Sequence, residues 1–467
     1  MSESAGALAL ARELLADRRC WVVGGAVRDE LRGLPPSADL DLVIDGAVEP
    51  AARALARAAR GTAFSLSDAF GGWRVVAPGQ AWQADLNPLR GDTIEADLRL
   101  RDFTVNAIAR PLEGGAVVDP LGGAVDLADG RLRLAAPDAI DADPLRALRL
   151  VRMACELGLR PDAAACDAAR AAAPALAAVA AERVYAELRR VLASARPADG
   201  MRLAIELGSC AVVLPEVAAL AGVEQSRFHH LDALAHTLEV LERLVELEHQ
   251  PEAVFGPAHG EALRAMLREP LGDGMTHAQV LRFGALLHDV AKPLTRSVAP
   301  DGRIVFPRHD ERGAELARSI LTRLRAAERV RARVAALTLT HLRLGFLVHE
   351  APLSRRALYG YLAAANTVAA DVTLLSVADR LATRGAGSDD AIARHLELAR
   401  EVIGAALRWQ RDGRPPPLVR GDELARALDL APGPLIGELL VAIEEEAFAG
   451  ALHNAADAIA FAADRIP

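Results

Sequence analysis

The chain has 467 residues, enough at roughly 150 per domain for about three compact units. Its composition, 52% hydrophobic and 25% charged, is that of a globular protein and excludes a disordered one. A formal net charge of −9 argues against coating nucleic acid by bulk electrostatics, while leaving room for a local arginine surface that grips RNA.

From the amino terminus, residues 19–135 alternate strand-like and helical stretches, with apolar runs at Trp21-Val22-Val23, Leu42-Val43-Ile44 and Trp73-Arg74-Val75-Val76. The first run enters Gly24-Gly25-Ala26-Val27-Arg28-Asp29, a Gly-Gly turn that opens a helix. Glycines let the backbone approach a phosphate, free N–H groups at the helix start favour an anion, and Arg28 adds a planar cation. Next comes Asp39-Leu40-Asp41-Leu42-Val43-Ile44. Residues two apart on a strand share a face, so Asp39 and Asp41 can jointly hold hard divalent cations through oxygen. Two such metals can activate an attacking oxygen and stabilise a leaving phosphate. Asp85 offers a third carboxylate. Either motif alone is an ordinary turn or an ordinary acid pair; their order along one chain is what points to nucleotide chemistry.

From Asp143 the pattern turns helical, with Asp143, Arg146 and Arg149 three apart on a predicted helix and hence on one face. The alanine-rich stretch 163–181 is interrupted by Asp167, Arg170 and Pro174 and cannot span a bilayer. No basic segment leads into an apolar one at the amino terminus, so a cytoplasmic protein with no membrane partner is expected. Cys20, Cys155, Cys166 and Cys210 form no C-x-x-C pair and are expected to be buried, reduced thiols. The histidine-rich region 229–410 is helical, with 250–277, punctuated by Pro251, Pro257, Gly260, Pro270, Gly272 and Gly274, expected as an inserted loop. Of the 54 basic residues Lys292 is the only lysine, and it follows the adjacent pair His288-Asp289. Arg323, Arg325, Arg329, Arg331 and Arg333 read as a solvated basic helix face, and Arg411 to Pro417 as a linker before a helical tail.

Gly24-Gly25-Ala26-Val27-Arg28-Asp29, Asp39-Leu40-Asp41, Arg101-Asp102-Phe103-Thr104-Val105-Asn106-Ala107, Asp119-Pro120-Leu121-Gly122-Gly123, Asp143-Pro144-Leu145-Arg146-Ala147-Leu148-Arg149 and Glu182-Arg183-Val184 occur in that order. Together they resemble the class II tRNA nucleotidyltransferase and bacterial poly(A) polymerase family of the polymerase beta superfamily. The resemblance implies an α+β fold: a polymerase-beta-type nucleotidyltransferase head, a mixed sheet with helices, followed by all-α neck, HD and tail regions. The expected boundaries are 1–135 for the head, 136–222 for the neck, 223–410 for the HD domain and 411–467 for the tail. The implied reaction is template-independent addition of C and/or A to the tRNA 3′ end from CTP and ATP, with pyrophosphate released. Asp39 and Asp41 would hold Mg2+, with Asp85 a further catalytic acid. Gly24, Gly25, Arg28, Arg101, Asp143, Arg146 and Arg149 would contact the nucleotide. No protein partner is identifiable.

In that reading Asp143 and Arg146 imitate a base-pairing partner. Cytosine and adenine both present an exocyclic amine beside an unprotonated ring nitrogen, which suits a carboxylate acceptor and a guanidinium donor; uracil and guanine reverse the pattern. Ala142 stands where the family commonly has Glu, and only Leu86 to Leu100 separates the catalytic strands from the Arg-Asp-Phe-Thr motif. That region is linked in the family to switching from C to A, so addition of only part of the CCA end stays open.

Further along, His236, His288-Asp289 and Asp379 resemble the HD phosphohydrolase pattern, with His309 and His341 as additional members. Imidazole and carboxylate suit a divalent transition ion, and a bound metal can lower the pKa of water for phosphoester cleavage. His229, His230 and His349 lack such context and are expected as surface or core residues. The rival readings are a poly(A) polymerase of the same family, an HD metallophosphohydrolase with an RNA-binding head, and a non-catalytic RNA-binding module.

Overall fold

The computed structural model describes residues 3–466 apart from 36, 68–70, 351 and 386. The chain divides into two compact units, Met1–Val179 with Glu206–Val212, and Ala180–Ile205 with Val213–Pro467.

The first unit is built on a six-stranded mixed sheet: β1 (Cys20–Val23), β2 (Asp39–Ile44), β3 (Thr62–Ser67), β4 (Gly72–Val76), β5 (Gln83–Pro88) and β6 (Ala109–Pro111), in the order β3-β4-β5-β2-β1-β6. β2 and β5 run parallel, and the other neighbouring pairs run antiparallel. Alternation along β2 sends Leu40, Leu42 and Ile44 into one core with Val22, Leu55 and Leu86. Val43 goes to the opposite face with Trp21, Val23, Ile94 and Leu98. The helix Val48–Ala59 covers the first face through Ala51, Ala52, Leu55 and Ala56. Ile94 and Leu98, from the helix Ile94–Arg99, cover the second. Burying each such Leu, Ile or Val stabilises by about 1.5–3 kcal/mol, which pins the register: a slip of one residue would exchange the two faces. By parity Asp39 and Asp41 share the Val43 face, at the end of the strand where that core begins.

The second unit is helical, with two short two-stranded hairpins among the described residues, Pro270–Gly272 with Met275–Thr276 and Ser297–Val298 with Ile304–Val305. The stretch expected as a loop over 250–277 is instead the helix Glu252–Arg268 followed by the first hairpin. Gly256, at φ 77° and ψ 167°, breaks that helix, and Pro257 restarts it where a missing N–H costs nothing. Phe255, Leu263, Met266 and Leu267 are buried on either side of the break, so apolar contact and not punctuation decided the state.

Other expectations are refined. Cys20 and Cys210 are buried, but Cys155 and Cys166 are only half-buried. Arg355–Ala382 has the length and hydropathy of a membrane span, and 78% of its most apolar window is buried in the protein. Its run is broken at Asn366, where φ is 46°, so it serves as core. The basic run 323–333 is not one solvated face: Arg323 pairs with Glu216 at 2.7 Å, Arg331 with Glu328 at 3.1 Å, and Arg333 turns inward onto Asp371.

One buried ion pair ties three segments of this unit. Arg282 donates to Glu248 (Nε to Oε2, 3.0 Å) and to the carbonyls of Leu192 and Ser194 at 2.7 and 2.8 Å, closing the end of the helix Ala181–Ala193. The side chains are 7% and 5% exposed, so neither charge has water to fall back on. Glu248→Ala, which strands the guanidinium, is expected to cost about 3–5 kcal/mol and to lower the thermal unfolding midpoint of this unit. An unchanged midpoint would mean that the two carbonyls alone satisfy Arg282.

Candidate active sites

The parallel register of β2 and β5 sets Asp41 directly beside Asp85. Gly24, between β1 and the helix Gly25–Leu31, has φ 68° and ψ −128°, a conformation open to glycine. A Cβ there would lie 3.2 Å from Arg101 Nη1 and 3.7 Å from Asp41 Oδ2, so the turn backbone, a guanidinium and the carboxylate meet at one point. Burial pushes the Asp41 carboxyl up to about 6, Asp85 pushes the same way, and Arg101 only partly offsets them. Asp39, two residues earlier on the same face, is exposed. Carboxylates that crowd one another against burial are a donor set that a hard dication relieves, so Asp39 and Asp41 fit Mg2+.

Asp85 is brought to this place but has a partner of its own. Arg74, its cross-strand neighbour on β4, donates to both its oxygens at 2.7 Å.

The remaining head residues form a hydrogen-bonded relay. Arg28 donates to Asn106 Oδ1 at 2.6 Å, Asn106 Nδ2 donates to Asp102 Oδ1 at 3.0 Å, and Arg149 Nη1 donates to Asp102 Oδ2 at 3.1 Å. Burial would raise the Asp102 carboxyl, but Arg149 and the hydrogen bonds from Asn106 and the Phe103 N–H hold it below the ordinary value. Arg101 is steadied by buried Asp97, which also accepts from Arg90. Asp97, Asp102, Asn106 and Arg74 received no role from the sequence; the only signal was that Asp102 and Asn106 lie inside the Arg-Asp-Phe-Thr motif.

The expectation of one helical face for Asp143, Arg146 and Arg149 is corrected. The helix starts at Leu145, and Asp143 is extended at φ −151° and ψ 101°, because Pro144 disfavours helical geometry in the residue before it. Asp143 Oδ1 accepts from the Leu145 N–H at 3.2 Å. Arg146 donates to the carbonyls of Ala139, Leu100 and Arg101 at 2.9, 3.1 and 3.3 Å. Its Nε is buried without a hydrogen-bond partner.

In the second unit the HD residues converge. His236 comes from the helix Ala233–His249, Asp379 from Ala369–Ala382 and His309 from the start of His309–Arg323. His288 and His341 close the helices His277–Leu287 and Glu328–Thr340. Asp289 sits among them, with its carboxyl held well below the usual range: burial opposes ionisation, but His288 and Lys292 outweigh it. The Nε2 atoms of His236, His288 and His309 are buried, turned toward the carboxylates of Asp289 and Asp379. Inward imidazole nitrogens with an ionised carboxylate fit a divalent transition ion. Lys292 Nζ lies 2.6 Å from Asp289 Oδ2 and donates to Gln225 at 2.5 Å.

Beside this cluster is a cavity of about 540 Å3, lined in part by His229, His349, Arg380 and Arg394. His229 and His349, expected as surface or core residues, line this cavity, His229 half-buried and His349 exposed. The His229 ring packs edge-on against His236 at 5.0 Å, and burial first, then Lys292, lowers its pKa to about 4. His230 is exposed.

Residues 20–133 match the family model described as the poly A polymerase head domain, 158–220 that of a probable RNA and SrmB-binding site of polymerase A, and 233–384 the HD domain. An A-adding tRNA nucleotidyltransferase of Deinococcus radiodurans is 38% identical, over 94% of this chain and 94% of its own length. The chain belongs to the tRNA nucleotidyltransferase family. A CC-adding tRNA nucleotidyltransferase of Thermus thermophilus is 37% identical, covering 94% of this chain and 92% of that one. Among solved structures, a CCA-adding enzyme with CTP shares the fold at a TM-score of 0.61 and 18% identity, over 97% of this chain and 93% of that one. The Thermotoga maritima CCA-adding enzyme complexed with tRNA does so at 0.59 and 18% identity, over 99% and 95%.

For a nucleotidyltransferase the relay through Asp102 has a consequence. Asp102→Ala deprives Arg149 and Asn106, and through Asn106 Arg28, of their anchor. A hydrogen bond to a charged group is worth about 1.5–3 kcal/mol, so kcat/KM for the nucleotide should fall roughly ten- to a hundredfold with the circular dichroism spectrum unchanged. Steady-state kinetics at saturating RNA would check it.

Proposed function

We propose that this chain adds C and/or A to the 3′ end of tRNA from CTP and ATP, and that its HD unit is a second, phosphoester-hydrolysing site. The observation that carries the first part is the meeting of Asp41, the Gly24 turn and the Arg101 guanidinium, with Asp39 exposed on the same strand face. The RNA 3′ oxygen attacks the α-phosphorus of the nucleotide, the bond to the β-phosphate oxygen breaks, and pyrophosphate leaves. Such a reaction is mainly positioning and charge neutralisation. Mg2+, held by Asp39 and Asp41, supplies charge neutralisation and nucleophile activation when bound. Arg101 offers positive charge beside Asp41, and the glycine turn allows the triphosphate close to the backbone. Arg28 and Arg149, fixed through Asn106 and Asp102, present pre-oriented cations without further loss of side-chain freedom.

Base selection is assigned to Asp143 and Arg146. The two are held together by the Arg146 N–H donating to the Asp143 carbonyl at 2.9 Å, so the loss of a common helical face does not separate them. Arg146 is braced on three carbonyls, which fixes its guanidinium near Asp143. Relatives named A-adding and CC-adding both span over 90% of this chain, which supports addition of part of the CCA end. Sequencing the 3′ ends made from tRNAs ending before C74, C75 and A76 decides how much is added.

Asp39→Ala or Asp41→Ala should abolish incorporation of all four nucleotides alike in the presence of magnesium while the protein stays folded; near-normal turnover in either variant overturns the assignment. Asp143→Ala has a different signature. It should weaken CTP and ATP use by roughly ten- to a hundredfold and relax the preference over UTP and GTP. Full retained discrimination against UTP would reduce Asp143 to a brace for the helix start.

A further inference from the structure

A row of charged side chains crosses three strands of the head sheet on the Val43 face. Asp41 on β2 stands in register with Asp85 on β5, and Asp85 with Arg74 on β4. The residues flanking each one turn to the opposite core: Leu40 and Leu42 around Asp41, Ala84 and Leu86 around Asp85, Trp73 and Val75 around Arg74. None of the three can leave the row without a slip that exchanges the two faces of its strand. Arg74 grips Asp85 as a fork, Nε donating to Oδ1 and Nη2 to Oδ2, both at 2.7 Å. Both carboxylate oxygens are engaged, in the planar arrangement that makes guanidinium–carboxylate pairs strong. The Arg74 guanidinium is held above its ordinary value, first by the Asp85 hydrogen bonds and then, against burial, by the charges of Asp85, Asp39 and Asp41, so it lies within reach of all three acids.

Arg101, the other guanidinium at this place, is committed to buried Asp97. With Asp85 cancelled by Arg74, the acids whose charge stays open are Asp39 and Asp41, a dianionic pair that one dication balances. We propose that Arg74 is a positioning residue for nucleotide addition: by cancelling and fixing Asp85 it keeps that carboxylate from becoming a third ligand to the cation held by Asp39 and Asp41. The role rests on reading Asp39 and Asp41 as the Mg2+ ligands, and it takes Asp85 out of the metal-binding acids. Magnesium in phosphate chemistry is typically bound by one or two carboxylates together with phosphate oxygens of the substrate. The fork holds this array of three acids to two, which leaves the cation's remaining positions to the nucleotide. A third carboxylate would bind the cation more tightly and occupy a position that the triphosphate needs. In the competing arrangement Arg74 releases Asp85 when the cation arrives, and Asp85 becomes a ligand.

Mn2+ binding without nucleotide separates the two, read from the free-ion electron paramagnetic resonance signal as the full chain is titrated. The head's share is the binding that disappears with Asp39→Ala and Asp41→Ala. Arg74→Gln, which uncovers the Asp85 charge, should tighten the head's Mn2+ binding by roughly tenfold and lower the Mg2+ concentration that half-saturates CTP incorporation. Arg74→Gln combined with Asp85→Asn replaces the ion pair by a neutral one whose amides can hydrogen-bond across the strands. That variant should return to the parent dissociation constant within about twofold, whereas loss of a true ligand would weaken binding by roughly tenfold or more. Unchanged or weaker binding in Arg74→Gln would reduce Arg74 to a brace between strands. Binding in the double variant well below that of the parent would make Asp85 a ligand. Either result overturns the role given to Arg74 and leaves Asp39 and Asp41 as metal ligands. If Asp39→Ala and Asp41→Ala remove no Mn2+ binding, the metal reading of the head falls as well.

Discussion

The six residues of β2 hold both the proposed catalytic acids and the core of the head. Leu40, Leu42 and Ile44 fill one core, Val43 the other, and Asp39 and Asp41 are left on the Val43 face at the strand's free end. Because the pleat has a period of two, this strand can hold its carboxylates in only one register against β1 and β5. That register places Asp41 beside Asp85 and near the Gly24 turn. The cost is visible in the Asp41 carboxyl, pushed up to about 6. Such a carboxylate is poised to accept a dication, and hydrophobic burial elsewhere in the strand offsets its repulsion.

The same logic, with different materials, recurs in the HD unit. There several helices each deliver one or two ligands, and backbone carbonyls at helix ends orient the rings. The head uses oxygen donors on a sheet and leaves them partly open to solvent, whereas the HD unit uses imidazoles sunk in a helical core. Oxygen donors suit hard cations and imidazoles borderline ones, so the two donor sets differ in the cation they fit. Charged side chains that face neither site are spent on structure: Arg282 on Glu248, Arg333 on Asp371.

Much of this was legible from motifs. The glycine turn, the D-x-D strand, the Arg-Asp-Phe-Thr segment and the HD pair each combine a residue type with a local spacing, and local spacing survives folding. The helical state of 252–268 was not legible, since glycine and proline read as loop unless the apolar residues around them are known to be buried. Asp143 was misplaced for a local reason that could have been seen: Pro144 follows it and disfavours helical geometry there.

Residue types a few positions apart thus pointed to the family, to the order of its matched domains and to two candidate donor sets. Only the tertiary structure decided how the pieces share work. It gave Asp85 to Arg74, linked Arg28 to Arg149 through Asn106 and Asp102, and drew His229 to the HD cluster. These are contacts between residues far apart along the chain, set by strand register and helix packing. No periodicity within a short window carries that information.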